Sequence, residues 1–134
     1  MEILFYDKEH EKFYNNTLKK MRNEDVYHKA LCYTLGISGS VRENFKNIYD
    51  LKTGCVKTEC LHDAWQTGTT LKICRLAFAL YCNGTPSIKD YDKVEEQLEE
   101  CSRYSPGELF CCECSLYFLE AIKIRYPECL KGCY

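Results

Sequence analysis

The chain has 134 residues, 46% of them hydrophobic, with eleven Tyr, six Phe and one Trp; this excludes a disordered chain and suits one domain around a single core. Its 18 Lys and Arg stand against 20 Asp and Glu, for a formal charge of −2, so it lacks the basic balance on which phosphate-neutralising nucleic-acid binders rely. No apolar run approaches membrane-spanning length, and the opening MEILFYDKEHEKF has no secretory pattern, so the expectation is a soluble, cytosolic chain with neither nucleic acid nor membrane as partner.

Helical signals dominate in chain order. Asp7 is placed to cap a helix through about Met21, with Phe13, Tyr14, Leu18 and Met21 on one stripe. Asp25 opens a second, VYHKALCYTL, which Gly36 closes. Ser40 starts a third, VRENFKNIY, and Thr58 a shorter one, ECLHDAWQ, ending near Gly68. Thr69 or Thr70 then caps LKICRLAFALYC, stopped by Gly84. Pro86 and Ser87 lead into an acidic, solvated segment, helical from Tyr91 to Tyr104. SPGE places Ser105 at a cap and Pro106 at the first helical position of LFCCECSLYFLEAIKIRY, broken near Cys114 and Ser115 and ended by Pro127. Only ILFY at the start reads as a strand. The expected fold is all-α: one compact bundle of about six to eight short helices, residues 1–134, around two central apolar helices.

Those two helices, Leu71–Cys82 and Leu116–Tyr126, are apolar in nearly every direction yet carry Lys72, Arg75, Glu120, Lys123 and Arg125. A buried charge must be paired or face a hydrated cavity. One reading is structural, an Arg75–Glu120 ion pair. The other is a ligand site in which Arg75, Lys123 or Arg125 holds phosphate or carboxylate while Trp65 or a Tyr ring such as Tyr117 stacks. Gln66, Thr67, Thr69 and Thr70 sit where a helix N-terminus offers free N–H groups, either as an anion site or as ordinary caps.

The eleven cysteines are an odd number and a reducing cytosol disfavours disulfides, so most read as buried thiols, Cys32, Cys74 and Cys82 among them. Cys111 with Cys114, and Cys129 with Cys133, have spacings able to hold zinc, although the first pair sits by an apolar helix and the second near the chain end. No other cofactor is indicated. His28, His62–Asp63 and Asp90 or Asp92 follow the order of ligands in helical phosphohydrolases, a pattern short enough to arise by accident.

Taken together, YHKALCYTLGI, VRENFKNIYDLKTGCVKTECL, AWQTGT, RLAFAL, ELFCC and YFLEAIKIRYPE resemble, over nearly the whole chain, a family of small proteins of unknown function from Gram-positive bacteria, their phages and integrative elements. That pattern includes Tyr27–His28, Arg42, Trp65–Gln66–Thr67, Arg75, Tyr117–Phe118, Glu120, Lys123 and Arg125, which adds His28, Arg42 and Glu120 to the ligand-binding set. It demands neither Cys114, Cys129 and Cys133 nor His62–Asp63, which weakens the zinc and phosphohydrolase readings. The resemblance implies an accessory or anti-defence role in a bacterial host. The leading expectation is a non-enzymatic protein that binds and sequesters a small anionic, nucleotide-derived signal, with a homo-oligomer completing the pocket if one forms. The second is an inhibitor or adaptor acting on a host defence protein, and the third a small nucleotide hydrolase.

Overall fold

The computed structural model describes residues 2–130. Among these, nine α-helical segments, two 3-10 turns and one two-stranded hairpin form an all-α domain. Its centre is α2 (Val26–Leu35), in which every residue from Ala30 to Leu35 is buried. α5 (Gly68–Cys82) lies against it along most of its length, and α1 (Lys8–Leu18) and α8 (Ser115–Arg125) flank it. The central pair is therefore α2 with α5. α8 was the other helix expected at the centre, but its Leu116 and Leu119 remain 56% and 52% exposed.

Local chemistry explains most boundaries. Asp7 accepts from the His10 N–H and Asp25 from the His28 N–H, satisfying donors that the first turns of α1 and α2 leave open. Gly36 ends α2, and a Cβ there would stand 2.8 Å from the His10 ring and 2.9 Å from the Phe13 ring. The helix expected over 41–49 is split into α3 (Gly39–Glu43) and α4 (Phe45–Ile48). Between them Asn44 leaves helical geometry while its side-chain amide donates to the Ser40 carbonyl, the competition with the backbone that makes Asn a poor interior residue. α5 ends at Asn83 in the left-handed region at φ 57°, one residue before the expected Gly84.

Three regions differ more. ECLHDAWQ forms a single 3-10 turn, Thr58–His62. Strands β1 (Tyr49–Asp50) and β2 (Cys55–Val56) pair antiparallel through a turn in which Gly54 takes φ 73°, accessible to glycine without strain. Ile3–Tyr6 joins no sheet: it runs beside α8, its Leu4 N–H on the Glu120 carboxylate and its Leu4 carbonyl on the Tyr33 hydroxyl. The acidic stretch makes a second 3-10 turn, Pro86–Asp90, and α6 (Val94–Ser102); α7 (Pro106–Leu109) and α9 (Pro127–Leu130) complete the chain.

His10 is fully buried beneath the N-terminal segment, where its Nδ1 accepts from the Tyr6 N–H at 3.0 Å and its Nε2–H donates to the Tyr33 carbonyl at 2.7 Å. Burial pushes its pKa below the ordinary imidazole value, and the geometry agrees, because a proton on Nδ1 would meet the Tyr6 N–H. The neutral ring thus contributes stability that is full above about pH 6.5 and is lost as pH falls through the lowered value. Denaturant melts at pH 7.5 and 5 should show lower stability at acid pH in the wild type, with a smaller difference in His10→Gln. An equal difference in both would assign the acid sensitivity elsewhere.

Candidate functional site

Arg75 lies mid-α5, and its Nε and Nη2 donate to the two carboxylate oxygens of Glu100 on α6, both at 3.0 Å. This corrects the expected Arg75–Glu120 pair. It also corrects the expectation of a wholly solvated acidic segment: Glu100 is 2% exposed. Its carboxylate further accepts from the Ser87 hydroxyl at 2.5 Å, and Ser87 meets the Tyr104 hydroxyl at 2.7 Å. Glu100, Ser87 and Tyr104 had no visible sequence signal, because Glu100 lies twenty-five residues from Arg75 and thirteen from Ser87. Glu120 instead holds the N-terminal segment through the Leu4 N–H.

The α5 N-terminus is closed by its own side chains. Thr67 Oγ1 accepts from the Thr70 N–H and Thr70 Oγ1 from the Thr67 N–H, a capping box whose N-cap, Thr67, stands two or three residues before the expected Thr69 or Thr70. Thr70 also donates to the Gln66 side-chain oxygen, and Gln66 Nε2 donates to the Cys60 carbonyl and, at 3.6 Å, to the Cys74 sulfur. The Trp65 indole donates to Asp63, a carboxylate that would repel an anion here, and Thr69 reaches Glu113.

Arg125, 7% exposed, reaches back to the other end of α5. Its Nε donates to the Leu80 carbonyl at 2.8 Å and its Nη2 to the Asn83 side chain at 2.6 Å, while the guanidinium lies 3.8 Å from the Tyr27 ring centroid. It satisfies a carbonyl that the end of the helix leaves open. Tyr117 packs edge-on against Tyr6, and Lys123 is exposed. His28 pairs with Asp25 at 2.7 Å and faces the Tyr81 hydroxyl. Arg42 donates to the Gly36 carbonyl. The expected ligand set is thus distributed over separate places on the fold. Among the described residues, no buried side-chain nitrogen or oxygen lacks a partner, so no polar group waits in the core for a ligand.

Cys111 is exposed and Cys114 buried; these two, Cys129 and every other described His, Cys, Asp or Glu form no cluster of three or more able to hold a metal ion. Cys133 lies outside the described residues. His62 packs on the Tyr91 ring, Asp63 holds Trp65 and Asp90 accepts from Thr58, so the phosphohydrolase-like residues do not converge.

A further concavity lies elsewhere. A groove of about 930 Å³ opens between α1, α4 and the hairpin, with Phe13, Phe45 and Tyr49 in its floor. Six cations line it, Lys12, Lys20, Arg42, Lys46, Lys52 and Lys57, against Glu9, Glu43 and Asp50. That is a third of the chain's Lys and Arg on a protein of net negative charge. Lys57 Nζ donates to the Lys46 carbonyl, but the ammonium groups of Lys12, Lys20, Lys46 and Lys52 make no hydrogen bond or ion pair among the described residues. Of the expected set only Arg42 belongs to this groove. The remaining cations were missed because they come together only when α1 meets α4 and the hairpin.

No curated protein and no solved structure matches the chain. The model of DUF6075, a family of unknown function, does match it, over residues 1–132. No helix among the described residues is long and apolar enough to cross a membrane.

Removing one member of a buried pair leaves an uncompensated charge, so Glu100→Gln should cost about 3–5 kcal/mol in chemical denaturation, and Arg75→Met with Glu100→Leu much less. A cost near zero for Glu100→Gln would mean that Arg75 does not depend on this carboxylate. Arg125→Lys keeps the charge but loses the planar fork and should cost about 1–3 kcal/mol, read as a lower denaturation midpoint.

Proposed function

We propose a non-catalytic binding role for this chain, which belongs to DUF6075, a family of unknown function: it holds and sequesters a small polyanionic, nucleotide-derived ligand in the α1–α4–hairpin groove. One observation carries the reading. Four lysines that have no partner among the described residues line a wide groove on an otherwise acidic protein, while the buried arginines already have theirs. Phosphates would lie against Lys12, Lys20, Lys46 and Lys52, and a base against the Phe13 and Phe45 rings, which stand edge to face at 5.7 Å. The groove is open and its charges exposed, so affinity depends strongly on salt. The described lining of the groove holds no His, Cys or Ser, which favours holding a ligand over cleaving it. In a phage or mobile element of a Gram-positive host, such a protein would act against defence by removing a signal.

A second reading, an adaptor or inhibitor that docks on a host defence protein, is favoured by an exposed apolar strip along α8. Leu116 and Leu119 lie there beside Leu4 and Tyr6 of the N-terminal segment.

Thermal shift against mononucleotides, cyclic dinucleotides and ADP-ribose compounds tests the first reading. A ligand at a hundredfold its Kd stabilises by about 2.7 kcal/mol, a rise of several degrees. Lys46→Glu with Lys52→Glu should weaken binding at least about tenfold, and heat release should return the ligand intact. No response to any nucleotide at low salt, or equal binding by the charge-reversed variant, would remove the reading.

A further inference from the structure

α6 is mounted with its polar side inward. Glu100 is buried against Arg75 and Gln97 donates to the Tyr91 carbonyl, while Val94 and Leu98, one turn apart on the same row, stay 69% and 66% exposed. Cys101 extends this apolar row, also exposed. Glu95 and Glu99 border it on one side and the exposed Glu96 lies on the far side; among the described residues Glu99 alone of these three forms an ion pair, with Arg103, and Asp92 and Lys93 precede the helix. The outcome is an acidic ridge with an apolar crest.

The groove has the opposite chemistry: Phe13, Phe45 and Leu51 line it together with Lys12, Lys20, Lys46 and Lys52. We propose that α6 of one copy docks in the α1–α4–hairpin groove of a second copy, head to tail. Charge complementarity selects this occupant, since an acidic ridge and a basic groove, each with apolar residues between its charges, sit on the same chain. Length agrees. The nine residues of α6 span about 13 Å, and the helical part of the α1 wall, from Glu9 to Thr17, about 13 Å as well.

The two surfaces differ, so the contact is heterologous. Each copy that uses its ridge still has an open groove, and association continues into a ring or an open chain. Only the further expectation that a polyanion displaces the ridge rests on the proposed ligand site. The self-association stands without it.

Sedimentation velocity on the full chain, without ligand and at low salt, provides the test. The wild type should sediment faster as its concentration rises, and 0.5 M NaCl should reduce the effect. Val94→Ser with Leu98→Ser keeps the groove and disables the ridge; Lys46→Glu with Lys52→Glu does the reverse. All four positions are exposed, and circular dichroism checks that each variant is folded. Each variant alone should remain monomeric, whereas an equal mixture should form a capped one-to-one heterodimer and nothing larger. A wild type that stays monomeric at about 0.5 mM, where weak interfaces are populated, overturns the proposal and leaves the ridge to a different partner. So does self-association that survives both variants, or a mixture that fails to pair. The ridge variant also separates the two ideas: loss of nucleotide response with the heterodimer intact removes the ligand reading alone, and the converse removes the self-association alone.

Discussion

The Arg75–Glu100 pair governs how the C-terminal half of the fold is arranged. Arg75 sits in the middle of a helix whose neighbours Ile73, Cys74, Leu76, Ala77 and Phe78 are all buried, so its guanidinium cannot reach water at low cost. A bidentate carboxylate is the partner that matches its planar fork. Supplying that carboxylate requires α6 to turn Glu100 inward, and Ser87 and Tyr104 then take up the remaining polar capacity. Such a pair adds little net stability over an apolar replacement, but every competing arrangement that separates its members buries a lone charge. Its effect is therefore on which arrangement is adopted. The exposure of Val94 and Leu98 follows directly, because a helix anchored through its glutamate cannot also bury its apolar row.

A second rule covers several of the other cations. Arg22, Arg42, Lys57, Lys72 and Arg125 each donate to a backbone carbonyl, of Lys52, Gly36, Lys46, Cys111 and Leu80 respectively. Short helices leave many unsatisfied carbonyls at their ends, and in a domain with several helices of four or five residues these termini are numerous. Arg42, Lys57 and Arg125 close carbonyls of this kind, while the carbonyls of Lys52 and Cys111, bound by Arg22 and Lys72, lie outside helices. Internal bonding thus accounts for most of the charge that looked anomalous in the apolar helices. Lys12, Lys20, Lys46 and Lys52, which line the groove, make no such bond among the described residues.

Much of the local architecture was legible because its causes act within one helical turn. Asp7 and Asp25 open α1 and α2, Gly36 closes α2 and Pro106 opens α7 as read, while α1 stops at Leu18, short of the expected Met21. Where a boundary moved, a side chain competed locally: Asn44 broke the third helix, Asn83 took the left-handed position ahead of Gly84, and Thr67 in place of Thr69 or Thr70 capped α5. The two larger differences, α8 half-exposed and α6 with Glu100 inside, could not be read from periodicity. Periodicity ranks faces by hydrophobicity, and it has no term for one carboxylate held by an arginine twenty-five residues away.

By itself, then, the amino-acid sequence determined the helical class, most helix ends and the rule that Arg75 and Arg125 could not be left unpaired, since propensity, capping and desolvation act on each residue wherever it goes. Only the tertiary structure decided which groups met them. It gave Arg75 to Glu100 rather than Glu120, set Arg125 at the end of α5, and gathered Lys12, Lys20, Lys46 and Lys52 around one groove. Those choices depend on packing between helices distant in the chain. The energies involved are of one kind for every candidate partner, so only the geometry of the assembled core distinguishes among them.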